Sequence, residues 1–235
     1  MSVYVVCGMC LYRCTKKRLC TYFGLIVSPK QFLGLAVAAK SLFLSANLQE
    51  SMTSSFDILL KLGENPLRDL GGRELNTDVQ KMNSILKNTT DETILNMPKN
   101  QAKQLVTTLN LYINLGHVLT FVKPSLIGDL ARRMVELTLI NGIVESSPQA
   151  FAYYGGVLVA AGNVTEGCRL GRLALKLVEE RSLSKSKSAV IGLVYLTILW
   201  TSEPLQSTAH AHDIGRKVGQ QSGDTLYTRL VSVLL

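Results

Sequence analysis

Helices that are apolar nearly all round alternate in this chain with helices that are apolar on one side only, and short turns separate them. Residues 31–44, 103–115, 148–161 and 188–200 are of the first kind. A helix without a polar face has to be covered on several sides, so these segments demand neighbours. Residues 48–62, 124–140 and 164–180 are of the second kind. In 164–180, Leu170, Leu173, Ala174, Leu177 and Val178 recur at helical spacing, while Thr165, Arg169, Arg172, Lys176 and Glu179 take the other side. Residues 124–140 open with Pro124 in the first turn and set Ile127, Leu130, Met134 and Leu137 opposite Asp129, Arg132, Arg133 and Glu136. Residues 48–62 align Leu48, Met52, Phe56, Leu59 and Leu60 and stop at Gly63. No stretch alternates with period two long enough to compete as a strand, and the fold class that follows is all-α. From Pro66 to Asp91, with Gly71-Gly72 and many Asn, Asp and Thr, the chain reads as a loop with one short helix.

The turns test for a repeat. They fall at residues 45–47, near Gly116-His117, at Gly162-Asn163 and at 201–204. Gly162 and Thr201 are 39 residues apart, and Ala46 to Gly162 is 116, close to three such periods. Helix pairs recurring every 34 to 45 residues or so mark an α-solenoid, whose units bury their apolar faces by stacking on one another. The pair centred on Gly162 fits tetratricopeptide-like spacing, which puts Gly155, Gly167 and Ala174 where two helix backbones approach closely. The expected organisation is a basic, Cys-rich extension over 1–29 and a helical-repeat domain over 30–235, with a loop at about 64–97.

Composition narrows the function classes. With 235 residues, 47% of them hydrophobic, the chain has material for one or two buried cores. Its mean hydropathy of +0.21 is high. The richest runs, 19–27, 32–39 and 189–200, fall short of the roughly 18 uncharged apolar residues that a membrane-spanning helix needs. The formal charge of +8 is lopsided: residues 1–50 hold six basic residues against Glu50 alone, a net +5, and the rest carry 19 basic and 16 acidic residues, a net +3. The body is therefore ordinary in charge. Cys7, Cys10, Cys14 and Cys20 crowd the start, and Cys168 stands alone in the remainder. One cysteine in a long body fits a reducing compartment, and a cytoplasmic location is expected. The sequons at Asn88 and Asn163 are discounted, because no secretory signal accompanies them: at the start the basic group follows the apolar stretch.

Residues 146–177, SSPQAFAYYGGVLVAAGNVTEGCRLGRLALKL, carry a family resemblance. The pattern of Ser147, Ala150, Phe151, Ala152, Tyr153, Tyr154, Gly155, Gly162, Gly167, Gly171, Leu173, Ala174 and Leu175 resembles the tetratricopeptide-like helical-repeat region of large multidomain signalling proteins of cyanobacteria, diatoms and other algae. Those proteins combine a serine/threonine-kinase-like domain, an AAA-type ATPase module, the helical region, a GAF sensor and often a histidine-kinase module. Asn47-Leu48-Gln49-Glu50, the 200–205 segment WTSEPL and Gln221-Ser222-Gly223-Asp224 extend the resemblance over roughly 33–235. Gly162-Asn163 departs from the usual Gly-Asp, and the 76–96 loop differs in composition. The resemblance implies a spacer between ATPase and sensor modules, with protein partners or other domains of a parent chain.

The enzymatic motifs of such proteins are absent from this chain. No Gly-x-x-x-x-Gly-Lys-Ser/Thr loop wraps phosphates, and no His-Arg-Asp or Asp-Phe-Gly set marks a kinase. Gly155-Gly156 lies within an apolar helix and reads as a packing contact. Cys7-x2-Cys10-x3-Cys14-x5-Cys20 has a spacing that suits no zinc module. Beside Lys16-Lys17-Arg18 it supports an alternative reading, a membrane-peripheral adaptor attached through residues 1–20. His210 and His212 point about 200° apart on a helix and cannot share a metal ion; His210 aligns with Ile214 and Val218 for packing. Arg169, Arg172 and Lys176 form a basic stripe diluted by Glu166, Glu179 and Glu180, and no aromatics interleave with it to stack bases, which argues against nucleic acid. The expected function is a non-catalytic scaffold needing no cofactor or metal, with Tyr153, Tyr154, Arg169, Arg172 and Lys176 as the candidate protein-contact surface. The apolar, uncapped end at 231–235 leads to the expectation of a fragment and of self-association there.

Overall fold

The computed structural model describes residues 47–67 and 72–224. The Cys-rich start, the 31–44 segment and the apolar 225–235 end lie outside the described residues. Among the described residues every regular element is helical, and the single β-type contact is an isolated bridge between Lys99 and Ile143. In chain order the helices are α1 (Leu48–Lys61), α2 (Gly72–Asn88), α3 (Asp91–Leu95), α4 (Lys103–Val122), α5 (Ile127–Asn141), α6 (Ser147–Ala160), α7 (Val164–Glu180), α8 (Lys187–Thr197) and α9 (Leu205–Ser222).

Local chemistry places several of their ends. Asn163 caps α7 by accepting the Glu166 amide, and the Thr90 hydroxyl accepts the Thr93 amide at the start of α3. Gly63, Gly142, Gly162 and Gly223 follow helices with φ between 76° and 97°, the left-handed region that glycine enters without a Cβ clash. After α7 the corresponding position is Ser182, at φ 55°. Ser182→Gly removes that clash, and the expected result is a gain of about 0.5–1 kcal/mol in a urea melt.

Three expectations are corrected by the structure. The stretch between Pro66 and Asp91 carries a 17-residue helix, α2, in addition to the short α3. Met82 and Leu86, four residues apart on α2, are both buried, while Ile85 beside them is exposed. Gly116-His117 is no turn, for α4 runs through it to Val122. The glycine there makes room for a ring: a Cβ on Gly116 would stand 3.0 Å from Tyr153 Cζ. Residues 104–122 are also uncharged, so α4 has the length and composition to cross a membrane; in this fold 61% of its most apolar window is buried within the chain.

The all-round apolar helices are buried on several sides, as their composition requires. Tyr112 on α4, Phe151 and Tyr154 on α6, and Val190 and Val194 on α8 are fully buried. Each such side chain withdrawn from water contributes roughly 1.5–3 kcal/mol. Helices α5, α7 and α9 bury one face against them. Packing follows chain order, with α4 on α5, α5 on α6, α6 on α7 and α8, and α8 on α7 and α9. Helices α1, α2 and α3 dock on α4, α5 and α7 respectively. The closest approach is between α6 and α7, where a Cβ on Gly167 would lie 2.7 Å from the Gly155 carbonyl oxygen and one on Gly155 would lie 3.0 Å from the Gly167 oxygen.

Turns at one end of these helices are joined side by side. The Ile143 amide donates to the Pro98 carbonyl, and the Asn100 amide donates to the Ile143 carbonyl at 2.8 Å. Glu145 Oε1 accepts the Lys185 amide at 2.8 Å and the Ser186 amide at 3.3 Å. Arg181 reaches the Leu95 and Met97 carbonyls, both at 2.9 Å. Segments 95–100, 141–145 and 181–186, which lead into α4, α6 and α8, thus form a ladder of bonded turns.

Candidate contact surface

The five residues of the expected contact surface do not share one surface. Tyr154 is fully buried and Tyr153 is 8% exposed, so both belong to the core. The reason is the all-round apolarity of α6: Tyr153 seats its ring on Gly116 with His117 beside it, their ring centroids 6.4 Å apart, and Tyr154 is enclosed completely. Tyrosine satisfies its hydroxyl inside a core as readily as at a surface.

The basic stripe of α7 divides in two. Arg169 is committed within the chain, since its guanidinium binds both oxygens of Glu166, at 2.9 and 2.5 Å, and also pairs with Asp91 on α3. The hydrogen bonds it donates to Glu166 hold it above its usual pKa, with Asp91 adding to the effect. Arg169 therefore ties α3 to α7. Arg172 and Lys176 keep more than half of their side chains exposed, with Glu203 at 3.8 Å and Glu180 at 3.5 Å as their nearest acids. Exposed pairs at such distances contribute little, so both cations can be redirected to an incoming carboxylate. Tyr195 on α8 completes this area, its hydroxyl pKa raised by burial and by Glu203 and eased by Arg172.

Two polar nodes lie elsewhere. Glu64, just beyond Gly63, accepts the Tyr112 hydroxyl at 2.8 Å and a forked pair of bonds from Arg133, at 2.7 and 3.2 Å. Burial and the Glu64 charge both push the Tyr112 hydroxyl far above its usual pKa, and the bonds to Glu64 do the same for Arg133. Asp129 is buried as well and receives Arg132. Arg132 and Arg133 were expected on a solvated face; they hold buried carboxylates instead. No local signal could have found the Glu64 node, because its partners are 48 and 69 residues away.

His210, expected to pack with Ile214 and Val218, does not lie on the inner face of α9. His212 is buried and His210 exposed, while Ile214, expected in the core, is 40% exposed. The inner face is set by Thr208, Ala211, Gly215 and Gly219, which let α9 approach α8 until a Cβ on Gly215 would meet Ile191 at 3.0 Å; Ser188 donates to the Gly215 carbonyl. Burial depresses the His212 imidazole below its ordinary 6.5, and Tyr195 is the ring it faces across the interface. The neutral form is thus the one the fold accepts. Stability from this site is fully present above pH 6.5 and falls as the pH drops toward the folded-state value, where the unfolded chain takes up the proton first. Urea midpoints at pH 8 and pH 5.5 are expected to differ less for His212→Leu than for the parent chain.

Among the described residues no three His, Cys, Asp or Glu side chains converge to hold a metal ion, and Cys168 is a buried free thiol with its sulfur 3.4 Å from Ser202 Oγ. Comparisons with protein-family models, with curated proteins and with solved structures find no match to the chain.

Proposed function

We propose that the chain is a non-catalytic scaffold for protein contacts, built as an α-solenoid of tetratricopeptide-like helix pairs. The ladder of bonded turns carries this reading. It connects pairs α4/α5, α6/α7 and α8/α9, whose first helices begin at residues 103, 147 and 187, intervals of 44 and 40 residues. Contacts run chiefly between elements one or two places apart in the chain, as expected where each unit stacks on its neighbour. The close crossing of Gly155 and Gly167 agrees with the small-residue positions of such a pair. The resemblance of residues 146–177 to the repeat region between the ATPase and GAF modules of signalling kinases agrees with this reading, in which the region works through contacts with protein partners or neighbouring domains. The exposed cations Arg172 and Lys176 form the contact surface, which suits acidic side chains.

Quantitative capture of partners from source-cell extract tests this surface. The parent chain is expected to retain proteins that Arg172→Glu with Lys176→Glu loses. Equal retention of every protein by both forms would sink the assignment.

A further inference from the structure

The end of the fold opposite the bonded turns gathers exposed apolar side chains. Helices α4, α6 and α8 all start from the ladder and run the same way, since Gly116 of α4 meets Tyr153 of α6, and Gly156 of α6 meets Thr197 of α8, further along. Phe121 lies five residues beyond Gly116 and Trp200 three beyond Thr197, so both reach the far end. Val164 opens α7 there, directly after the turn that closes α6, and Leu196 stands one turn before Trp200. Phe121 is 71% exposed and Trp200 61%, and Val164 and Leu196 are exposed as well. These four are half of the large apolar side chains exposed among the described residues, and their concentration at one end marks a contact surface.

Charge selects the partner. Residues 104–122, 147–165 and 188–202, which end or turn here, contain no Asp, Glu, Lys or Arg. Lys123 follows the first of these stretches, and the acids that follow the other two, Glu166 and Glu203, are half-buried and face Arg169 and Arg172. The 46 residues that precede Asn47 include six basic and no acidic residues. They join the fold at this same end. Gln104, at the start of α4, donates to the Leu62 carbonyl beyond α1, so α1 runs against α4, and its 14 residues carry Asn47 back about 21 Å toward Phe121. An apolar, aromatic end beside a block of cations matches the boundary of an anionic bilayer, where Trp and Phe sit at headgroup level and basic residues meet the lipid charge. Either signal alone gives marginal attachment, and the two together give a stable one.

We propose that this end of the fold, with Phe121, Val164, Leu196 and Trp200 at the contact, docks on an anionic lipid surface. Phe121 and Trp200 enter the headgroup region, and the basic residues before Asn47 add attraction to the lipid charge. This contact goes beyond the scaffold reading and is independent of it, since it needs neither the repeat nor the cations of α7.

Trp200 is the single tryptophan of the chain, so its fluorescence reports on this end alone. Titration of the full chain with large unilamellar vesicles of phosphatidylcholine and phosphatidylserine in a seven-to-three ratio, and with vesicles of phosphatidylcholine alone, tests the proposal. The expected result is a blue shift of Trp200 emission, quenching by lipids brominated in the acyl chain, and partitioning into the anionic vesicles at least tenfold stronger than into the neutral ones. Phe121→Ser with Leu196→Ser is expected to weaken that partitioning at least tenfold with an unchanged circular-dichroism spectrum. Phe121→Ser alone, at the more exposed position, is expected to weaken it at least threefold and serves where the pair fails to fold. Absence of partitioning, equal binding by parent and variants, or equal binding to both kinds of vesicle overturns the proposal. Cosedimentation with vesicles without any change in Trp200 emission overturns it in favour of attachment through residues 1–20. A blue shift that follows protein concentration without lipid overturns it in favour of a second copy of the chain at this end. The scaffold reading fails separately, through Arg172 and Lys176 in the extract experiment.

Discussion

Gly167→Ala is expected to destabilise the chain by about 2 kcal/mol, which lowers the melting temperature by roughly 4–8 °C for a chain of this size. The added Cβ would stand 2.6 Å from Val159 Cγ2 and 2.7 Å from the Gly155 carbonyl oxygen. The first contact can be relieved by a rotamer change, but the second is backbone, and the two helices must separate to relieve it. Alanine's better helix propensity returns up to about 1 kcal/mol, so the net figure already contains that offset. Gly156→Ala is the matching control on the partner helix. Its Cβ would meet only the Thr197 side chain, at 3.1 and 3.5 Å, and that residue is half-buried and able to give. The control is expected within about half a kcal/mol of the parent, or above it, because propensity then acts almost alone. Equal effects at 156 and 167 would mean that α6 and α7 do not cross at this point.

The same two helices explain how much could be read in advance. The approach of Gly155 to Gly167 was legible because a turn at Gly162 and a helical period together determine which small residues meet. The amphipathic face of α7 was legible for the same reason, and its exposed Arg172 and Lys176 are where periodicity puts them. Gly116 was misread because glycine marks both turns and close approaches, and only the position of Tyr153, 37 residues later in the chain, separates the two meanings. Tyr153 and Tyr154 were assigned to a surface because a tyrosine is amphipathic in composition, while its environment depends on what stacks against α6. In α9 the hydrophobic stripe of Ile214 and Val218 looked like the core, yet the small residues Ala211, Gly215 and Gly219 lie inside. Hydrophobic weighting ranks side chains by area, and a helix that packs at close range selects for lack of area. The segment holding α2 was misread because a surface helix rich in Asn, Asp and Thr has the composition of a loop, and two buried apolar residues are a thin signal.

Arg133→Met is expected to cost about 2–4 kcal/mol, well beyond the value of an exposed ion pair. Arg133 supplies two of the three bonds described to the Glu64 carboxylate, whose side chain is only 9% exposed. Removing the guanidinium leaves a nearly buried negative charge with the Tyr112 hydroxyl as its remaining described donor, and the penalty is mainly that of the orphaned charge. Glu64→Gln is expected to cost less, about 1 kcal/mol, because Arg133 is 29% exposed and already has Glu136 at 3.4 Å to turn toward. The asymmetry between the two single variants identifies a buried anion held by an arginine. Arg133→Met combined with Glu64→Gln removes both charges, and the pair is expected to recover much of the loss, giving a coupling energy of at least about 1 kcal/mol in a double-mutant cycle. Because Glu64 follows α1 directly while Tyr112 and Arg133 stand on α4 and α5, the node fastens the start of the α1–α2 connection to those two helices. Hydrogen exchange at residues 62–67 is therefore expected to accelerate in Arg133→Met before exchange in α6 and α7 changes. Simultaneous acceleration throughout would show instead that the node holds the whole fold together, and single variants each costing under half a kcal/mol would reduce it to a surface pair.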